Sequence, residues 1–216
     1  MKVILAGASG LIGSNLLEQL LRMPEIEKIL LVQRRRIEIE NPKIEQLIVD
    51  FSKLNLHKLN ENYDFAFCCL GTTIKKAGSQ EEFMKVDLYA VNHFAQFVAK
   101  NNCLKLIVVS AMGADAKSLI FYNRIKGEME NEIQQHGLDS IVIVRPSLLL
   151  GDRQESRPGE KLAIQLSPFY SPFLRGPLAK YRPVEASQVA EKMIQLAMMH
   201  TPRLLIVENQ EIHRKN

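Results

Sequence analysis

A strand, a glycine turn and a helix follow one another at the start of this chain, and no other stretch restricts the fold as tightly. Lys2–Ala6 is a short apolar run with Val3, Ile4 and Leu5, the pattern of a parallel strand buried on both faces. Gly7-Ala8-Ser9-Gly10-Leu11-Ile12-Gly13 follows at once, and helical periodicity runs over residues 11–21. In a unit of this kind the first glycine allows a tight turn. The second lets a pyrophosphate approach the backbone, and the third lets the helix pack on the strand. The free N–H groups and positive dipole end of the helix then face the phosphates. The alternative is an ordinary glycine-rich turn, and the placement between strand and helix argues against it. Gly7, Ser9, Gly10, Leu11, Ile12 and Gly13 are therefore the candidate contacts for the pyrophosphate of a dinucleotide.

The second strand is expected over residues 29–32, and the residues just beyond it bear on the choice of dinucleotide. About twenty positions beyond the glycines an acidic residue usually binds a ribose 2′-hydroxyl. Gln33 stands there instead, followed by Arg34, Arg35 and Arg36. Guanidinium forks bind a 2′-phosphate that a carboxylate would repel. Arg34 and Arg35 are the candidate contacts, and NADP(H) is expected over NAD(H). The competing reading is a solvated charge run ahead of Glu38 and Glu40.

Further strands are expected over residues 44–49, 65–70, 104–109, 141–144 and 204–207, with helices over 79–100, 119–136 and 187–199. Ser79-Gln80-Glu81-Glu82 reads as a capping box at the head of the first of these helices. Strand and helix alternate throughout, which implies an α/β fold with a doubly wound parallel sheet covered on both faces. A single domain spanning 1–216 is expected. Leu70-Gly71-Thr72 closes the fourth strand, where the chain would pass under a cofactor ribose. Residues 147–184 break the alternation and are rich in proline, glycine and basic side chains. They read as a small substrate-side region laid over the strand ends, where open α/β sheets bind ligands. A merely tolerated loop of that length is uncommon in a compact domain.

Composition narrows the function class. A net charge of +4, no tryptophan and no basic stripe with interleaved aromatics give no reason to expect nucleic acid as a partner. No apolar run approaches the roughly eighteen residues of a membrane span. The apolar start is broken by glycines before it could serve as a signal peptide. Cys68, Cys69 and Cys103 offer no disulfide framework, so a cytoplasmic location is expected, and no metal ligand set is assigned.

Chemistry is expected from Ser110, Tyr122 and Lys126. Tyr122 and Lys126 are four apart on a predicted helix and so share a face. Ser110 ends the fifth strand. A phenol has a pKa near about 10 and is a poor acid or base alone, whereas a nearby ammonium favours its ionised form. A serine hydroxyl would orient a substrate carbonyl oxygen while hydride leaves a nicotinamide, with Tyr122 as general acid/base. Ser118 and Ser147 are further candidates for the serine. The plain alternative makes Tyr122 a packing residue and Lys126 a solvated one.

The GxxGxxG spacing and the Ser–Tyr–Lys set resemble the short-chain dehydrogenase/reductase superfamily. Closer motifs run along nearly the whole chain. They are Cys68-Cys69-Leu70-Gly71-Thr72-Thr73, Lys76-Ala77-Gly78, Val86-Asp87, Gly113-Ala114-Asp115 and Tyr122-x-x-x-Lys126-Gly127-Glu128. The run Gly151-Asp152-Arg153-Gln154-Glu155-Ser156-Arg157-Pro158-Gly159-Glu160 adds a sixth that nothing in the general fold demands. Together these resemble the Tat-interacting oxidoreductase-like branch of the atypical short-chain dehydrogenases/reductases. The resemblance implies an NADPH-bound Rossmann domain that keeps the Ser–Tyr–Lys pattern, with Lys126 also on the cofactor ribose. In the superfamily an Asp placed like Asp50, beside Phe51, often meets the adenine amino group. Capping the following turn is the other reading. Asp87 stands about where many members have an Asn that holds a water against the catalytic lysine, and an Asp there would be able to pair with a basic group instead. Two functions are carried forward. One is an NADPH-dependent reductase of a small carbonyl compound, or the reverse reaction. The other is a regulatory NADPH sensor that binds a protein partner without catalysis. The motifs do not name the substrate, the partner or the oligomeric state.

Overall fold

Val3, Ile4, Leu5 and Ala6 are fully buried in β1 (Lys2–Ala6), an interior strand of a seven-stranded sheet in the computed structural model, which describes residues 1–151 and 176–214. α1 (Leu11–Arg22) follows, then β2 (Lys28–Gln33), β3 (Ile44–Ile48) and β4 (Phe65–Cys68). Next come α2 (Ile74–Ala77), α3 (Gln80–Met84), α4 (Val91–Lys100), β5 (Lys105–Val109), α5 (Phe121–Ile133) and β6 (Ser140–Arg145). A two-residue strand β7 (Leu149–Leu150) pairs in parallel with β8 (Val184–Glu185) in a separate small sheet. α6 (Ala186–Met198), β9 (Leu204–Glu208) and α7 (Asn209–Ile212) complete the described chain.

The order across the main sheet is β3-β2-β1-β4-β5-β6-β9, and every pair is parallel. Successive strand residues point to opposite faces, and both faces are covered. Ile4, Leu30, Ala66, Leu106 and Ile143 pack with Phe83, Phe94, Phe97 and Met129 from α3, α4 and α5. Val3, Leu5, Leu31, Phe67 and Ile107 pack with Leu16, Leu17 and Leu20 of α1 and Val189 and Met193 of α6. Each such side chain contributes about 1.5–3 kcal/mol on burial. The near-continuous apolar runs become strands because both of their faces find a helix layer. This is the doubly wound, Rossmann-type arrangement expected from the alternation.

Strand order reverses at β1, with β2 and β3 to one side and β4, β5 and β6 to the other. The carboxyl ends of β1 and β4 therefore flank the crevice where sheets of this type take a ligand.

Three details differ from expectation. β4 stops at Cys68, although Cys69 N–H still donates to the Ala6 carbonyl at 2.9 Å before the chain leaves the sheet. The helix expected over 79–100 is interrupted between α3 and α4 by a π turn, Lys85–Ala90. A π turn carries an extra residue relative to the α-helix, and here Asp87 is buried within it. Only half of the capping box forms. Ser79 Oγ accepts the Glu82 N–H, while the Glu82 carboxylate goes to Lys85 Nζ at 2.6 Å.

Of the region expected over the strand ends, residues 152–175 lie outside the described residues, and with them the Asp152-to-Glu160 motif. Asn209, fully buried, ties the two described flanks together. Its Oδ1 accepts from Ser147 N–H at 3.0 Å and its Nδ2 donates to the Arg182 carbonyl at 2.7 Å.

Candidate functional site

The glycine turn at the end of β1 is built as its spacing demands. Gly7 has φ +86°, a left-handed conformation that favours glycine. A Cβ on Gly7 would also stand 2.6 Å from the Cys69 carbonyl carbon and oxygen, so the ends of β1 and β4 abut through it. A Cβ on Gly13 would lie 2.0 Å from the Gly7 oxygen, which makes Gly13 the residue that lets α1 close on β1. Gly10 is different. A Cβ there would meet only the Gly7 oxygen at 3.3 Å and the Cys69 oxygen at 3.8 Å, and both Ser9 and Gly10 are exposed. Ser14 N–H makes the first bond of α1, to the Gly10 carbonyl at 2.8 Å. The N–H groups of Leu11, Ile12 and Gly13 thus have no partner within the helix. The first turn carries no acid. Exposed glycine, unpaired N–H groups and an uncompensated dipole fit a pyrophosphate.

At the end of β2 the side chains divide by role. Gln33 is buried and its amide donates to Gln46 Oε1 on β3 at 2.6 Å. Arg34, Arg35 and Arg36 are exposed in the bend beyond it. Asp50 accepts from Ser52 N–H at 3.0 Å and from Ser52 Oγ at 2.9 Å, capping the 3-10 turn Phe51–Leu56. These bonds, with Lys53 and Arg34 nearby, hold its carboxyl below the usual range. Asp50 thus makes the capping bonds of one of its two readings, and Phe51 is buried in the core.

The end of β4 meets α5 across the π turn. Asp87 Oδ1 lies 2.8 Å from Lys126 Nζ, and Asp87 Oδ2 accepts the Thr72 N–H at 2.8 Å. A Cβ on Gly71 would stand 3.4 Å from Asp87 Oδ1 and 3.9 Å from Lys126 Nζ, so this glycine lies directly against the pair. Burial works against the charge on Lys126, but Asp87 and, less strongly, Tyr122 and Cys68 outweigh it, and its pKa is raised. Leu70 is partly buried against the core. Tyr122, one helical turn before Lys126 on α5, is partly buried, with its ring 5.6 Å from that of Phe83. The structure thus brings Leu70, Gly71, Thr72, Asp87, Tyr122 and Lys126 to one end of the sheet. Lys126 is not the solvated residue of the plain alternative. The thiols of Cys68 and Cys103 are pushed up to about 12 by burial, which leaves them unreactive.

Ser110, just beyond β5, is bonded to α5. The residue is 4% exposed, and its hydroxyl donates to Glu130, two turns beyond Tyr122 on α5. Arg145 holds Glu130 with two bonds, Nε to Oε1 at 3.0 Å and Nη2 to Oε2, and reaches Glu208 through Nη1 at 2.9 Å. A carboxylate fixed in this way is a stronger acceptor than a substrate carbonyl, so the hydroxyl is engaged by Glu130. Of the other serines, Ser147 Oγ donates to the Arg182 carbonyl at 2.6 Å, and Ser118 Oγ accepts from Ile120 N–H at 3.2 Å. Sequence reasoning misses Glu130, although its spacing from Tyr122 and Lys126 (i, i+4, i+8) places it on their helix face. It misses Gln46 too, whose signal is a polar residue on the same face of β3 as Ile44, partly buried where its neighbour Glu45 is exposed.

Among the described residues no helix is long and apolar enough to cross a membrane, and no group of three or more His, Cys, Asp or Glu residues is placed to hold a metal.

Comparison with known proteins agrees with this fold. The profile of the NAD(P)H-binding family matches residues 7–167. Protein HTATIP2 of Rattus norvegicus is 38% identical over 165 residues, which covers 74% of this chain and 68% of the rat protein. Protein FMP52, mitochondrial, of Candida albicans is 35% identical over 205 residues, covering 91% of this chain and 88% of the yeast protein. Among solved structures, MoeE5 in complex with UDP-glucuronic acid and NAD superposes with a TM-score of 0.69 at 16% identity, over 95% of this chain and 75% of that one. A UDP-galactose 4-epimerase does so with a TM-score of 0.69 at 14% identity, over 95% and 76%. At such identities the solved structures bear on the fold alone.

Proposed function

This chain belongs to the NAD(P)H-binding family, on the Tat-interacting oxidoreductase-like branch of the atypical short-chain dehydrogenases/reductases, and we propose that it is an NADP(H)-dependent oxidoreductase acting on a small carbonyl compound or the corresponding alcohol. The observation that carries this reading is the buried Asp87–Lys126 pair against Gly71, one helical turn from Tyr122. Taking an ammonium out of water costs several kcal/mol. A chain that needed only packing at position 126 would place an apolar side chain there.

In this reading the N–H groups of Ser9, Leu11, Ile12 and Gly13 hold the pyrophosphate, with Gly7 shaping the turn and accepting the Gly10 N–H at 3.0 Å. Arg34 and Arg35 hold the 2′-phosphate, and Gly71, Thr72 and Lys126 face the nicotinamide ribose. The dinucleotide, when bound, supplies or accepts the hydride. Tyr122 donates its hydroxyl proton to the carbonyl oxygen as negative charge develops there, and recovers a proton from the alcohol in the reverse direction. Lys126 stays charged because Asp87 faces it. Asp87 also fixes the Thr72 backbone, so one carboxylate sets both the cation and the loop after β4. Ser110 is given no substrate contact.

The test is to incubate purified protein with NADPH and a panel of small aldehydes and ketones, following loss of the reduced nicotinamide absorbance. Carbonyl-dependent consumption supports the proposal. Tight NADPH binding with no consumption across the panel supports the second reading, a regulatory sensor with a protein partner. That reading is favoured by one observation, the Ser110 hydroxyl committed to Glu130. A cytoplasmic location belongs to the proposal as well. The fungal relatives are named mitochondrial, which is said of those proteins.

A further inference from the structure

Three hydrogen bonds converge on the amide of Gln46. Its Oε1 accepts from Gln33 Nε2 at 2.6 Å and from Ile37 N–H at 3.1 Å, and its Nε2 donates to the Ile37 carbonyl at 3.1 Å. Gln33 is the last residue of β2, and Ile37 packs its side chain against the core face that also holds α1. Arg34, Arg35 and Arg36 are therefore a three-residue bridge with both ends tied to one side chain on β3. All three guanidinium groups are left at the surface. Arg34 acts through space on Asp50, whose Oδ1 is already taken by Ser52. The same clamp keeps the Gln33 amide buried, where it cannot serve a ribose hydroxyl.

From this geometry we infer that Gln46 is a positioning residue for cofactor choice, holding the 34–36 bridge so that its arginines meet a 2′-phosphate. The inference rests on the NADP(H) reading above. Gln46 touches no part of the cofactor and acts through the arginines. Guanidinium side chains on a free loop must be ordered when they bind, at a loss of affinity, and a bridge fixed beforehand avoids most of that loss. A 2′-hydroxyl has no charge to recruit the arginines, so the effect falls on the phosphorylated dinucleotide alone.

The experiment titrates NADPH and NADH, by nicotinamide fluorescence, into the wild type, Gln46→Met and Gln33→Met. Methionine keeps the volume and removes the hydrogen bonds. NADPH affinity should fall about tenfold in Gln46→Met, with NADH affinity unchanged. Gln33→Met, which removes one of the three bonds, should show a smaller fall in the same direction. A merely structural role for Gln46 would weaken both dinucleotides together and leave their ratio where it was. An unchanged ratio in Gln46→Met, in a protein that does prefer NADPH, overturns the inference. If Gln46→Met does not fold, an unchanged ratio in Gln33→Met overturns it equally. A wild type that binds the two dinucleotides alike instead overturns the NADP(H) reading on which the inference stands.

Discussion

Asp87 Oδ1 and Lys126 Nζ are 2.8 Å apart, and the two side chains are 1% and 3% exposed. An ion pair this deeply buried is held in place by each partner's need for the other. Removing one charge leaves the second in a medium that cannot solvate it, at a cost of about 3–5 kcal/mol. Asp87→Asn should therefore lower the stability by that amount in urea denaturation, even though the amide oxygen still accepts the Thr72 N–H. Adding Lys126→Met should recover most of the loss, because the orphaned ammonium is then gone. A double variant no more stable than Asp87→Asn alone would mean that the pair is not the source of the effect.

The same pair sets an alkaline limit. Lys126 has its pKa raised above the ordinary 10.5, burial opposing the charge and Asp87 outweighing burial. A cation whose pKa is higher folded than unfolded adds stability that is complete below its unfolded value. That stability drains away as pH rises through the folded value. Denaturation midpoints should fall more steeply above about pH 10.5 in the wild type than in the Asp87→Asn/Lys126→Met variant. Parallel curves would contradict this.

The glycines separate folding from binding. Gly10→Val should melt close to the wild type and lose NADPH binding, since its added methyls fill the space a pyrophosphate needs. Gly13→Ala should do the reverse damage first. Its Cβ would sit 2.0 Å from the Gly7 oxygen, and relieving the overlap by moving α1 should cost about 1–3 kcal/mol or more. Thermal melts beside NADPH titrations check both variants. Normal NADPH binding by Gly10→Val would remove this loop from the cofactor site.

Ser110→Ala should leave NADPH affinity unchanged and lower stability by about 1.5–3 kcal/mol, the worth of a hydrogen bond to a charged group. Isothermal titration and urea denaturation measure the two. A large loss of turnover with stability intact would restore Ser110 to the chemistry and show that Glu130 releases it.

The sheet is legible in the sequence because a parallel strand buried on both faces is written as an unbroken apolar run, as in Val3-Ile4-Leu5 and Leu106-Ile107-Val108-Val109. The glycine turn is legible because each glycine answers a separate steric demand. Tyr122 and Lys126 can be placed together because they are one helical turn apart. The sequence allows Asp87 a basic partner, and Lys126 is that group. The features that escape depend on which polar side chain meets which across elements far apart in the chain. Ser110 reaches Glu130, Gln33 reaches Gln46 and Arg145 reaches Glu208, pairings that no local pattern records. The π turn escapes for a related reason. Helical periodicity runs through residues 80–100, and only the burial of Asp87 among its partners shows where the extra residue lies.

Tyr122 is, in the proposed reaction, the proton donor to a carbonyl reduced by NADPH, with Lys126 and Asp87 behind it. Tyr122→Phe removes one oxygen, keeps the ring against Phe83 and leaves the charged pair intact. The decisive measurement is turnover of any carbonyl substrate found for the wild type, taken on Tyr122→Phe beside an NADPH titration. NADPH affinity should be unchanged and turnover reduced by about 10²–10⁴-fold, the usual worth of general acid–base catalysis. Full turnover in Tyr122→Phe would contradict that role.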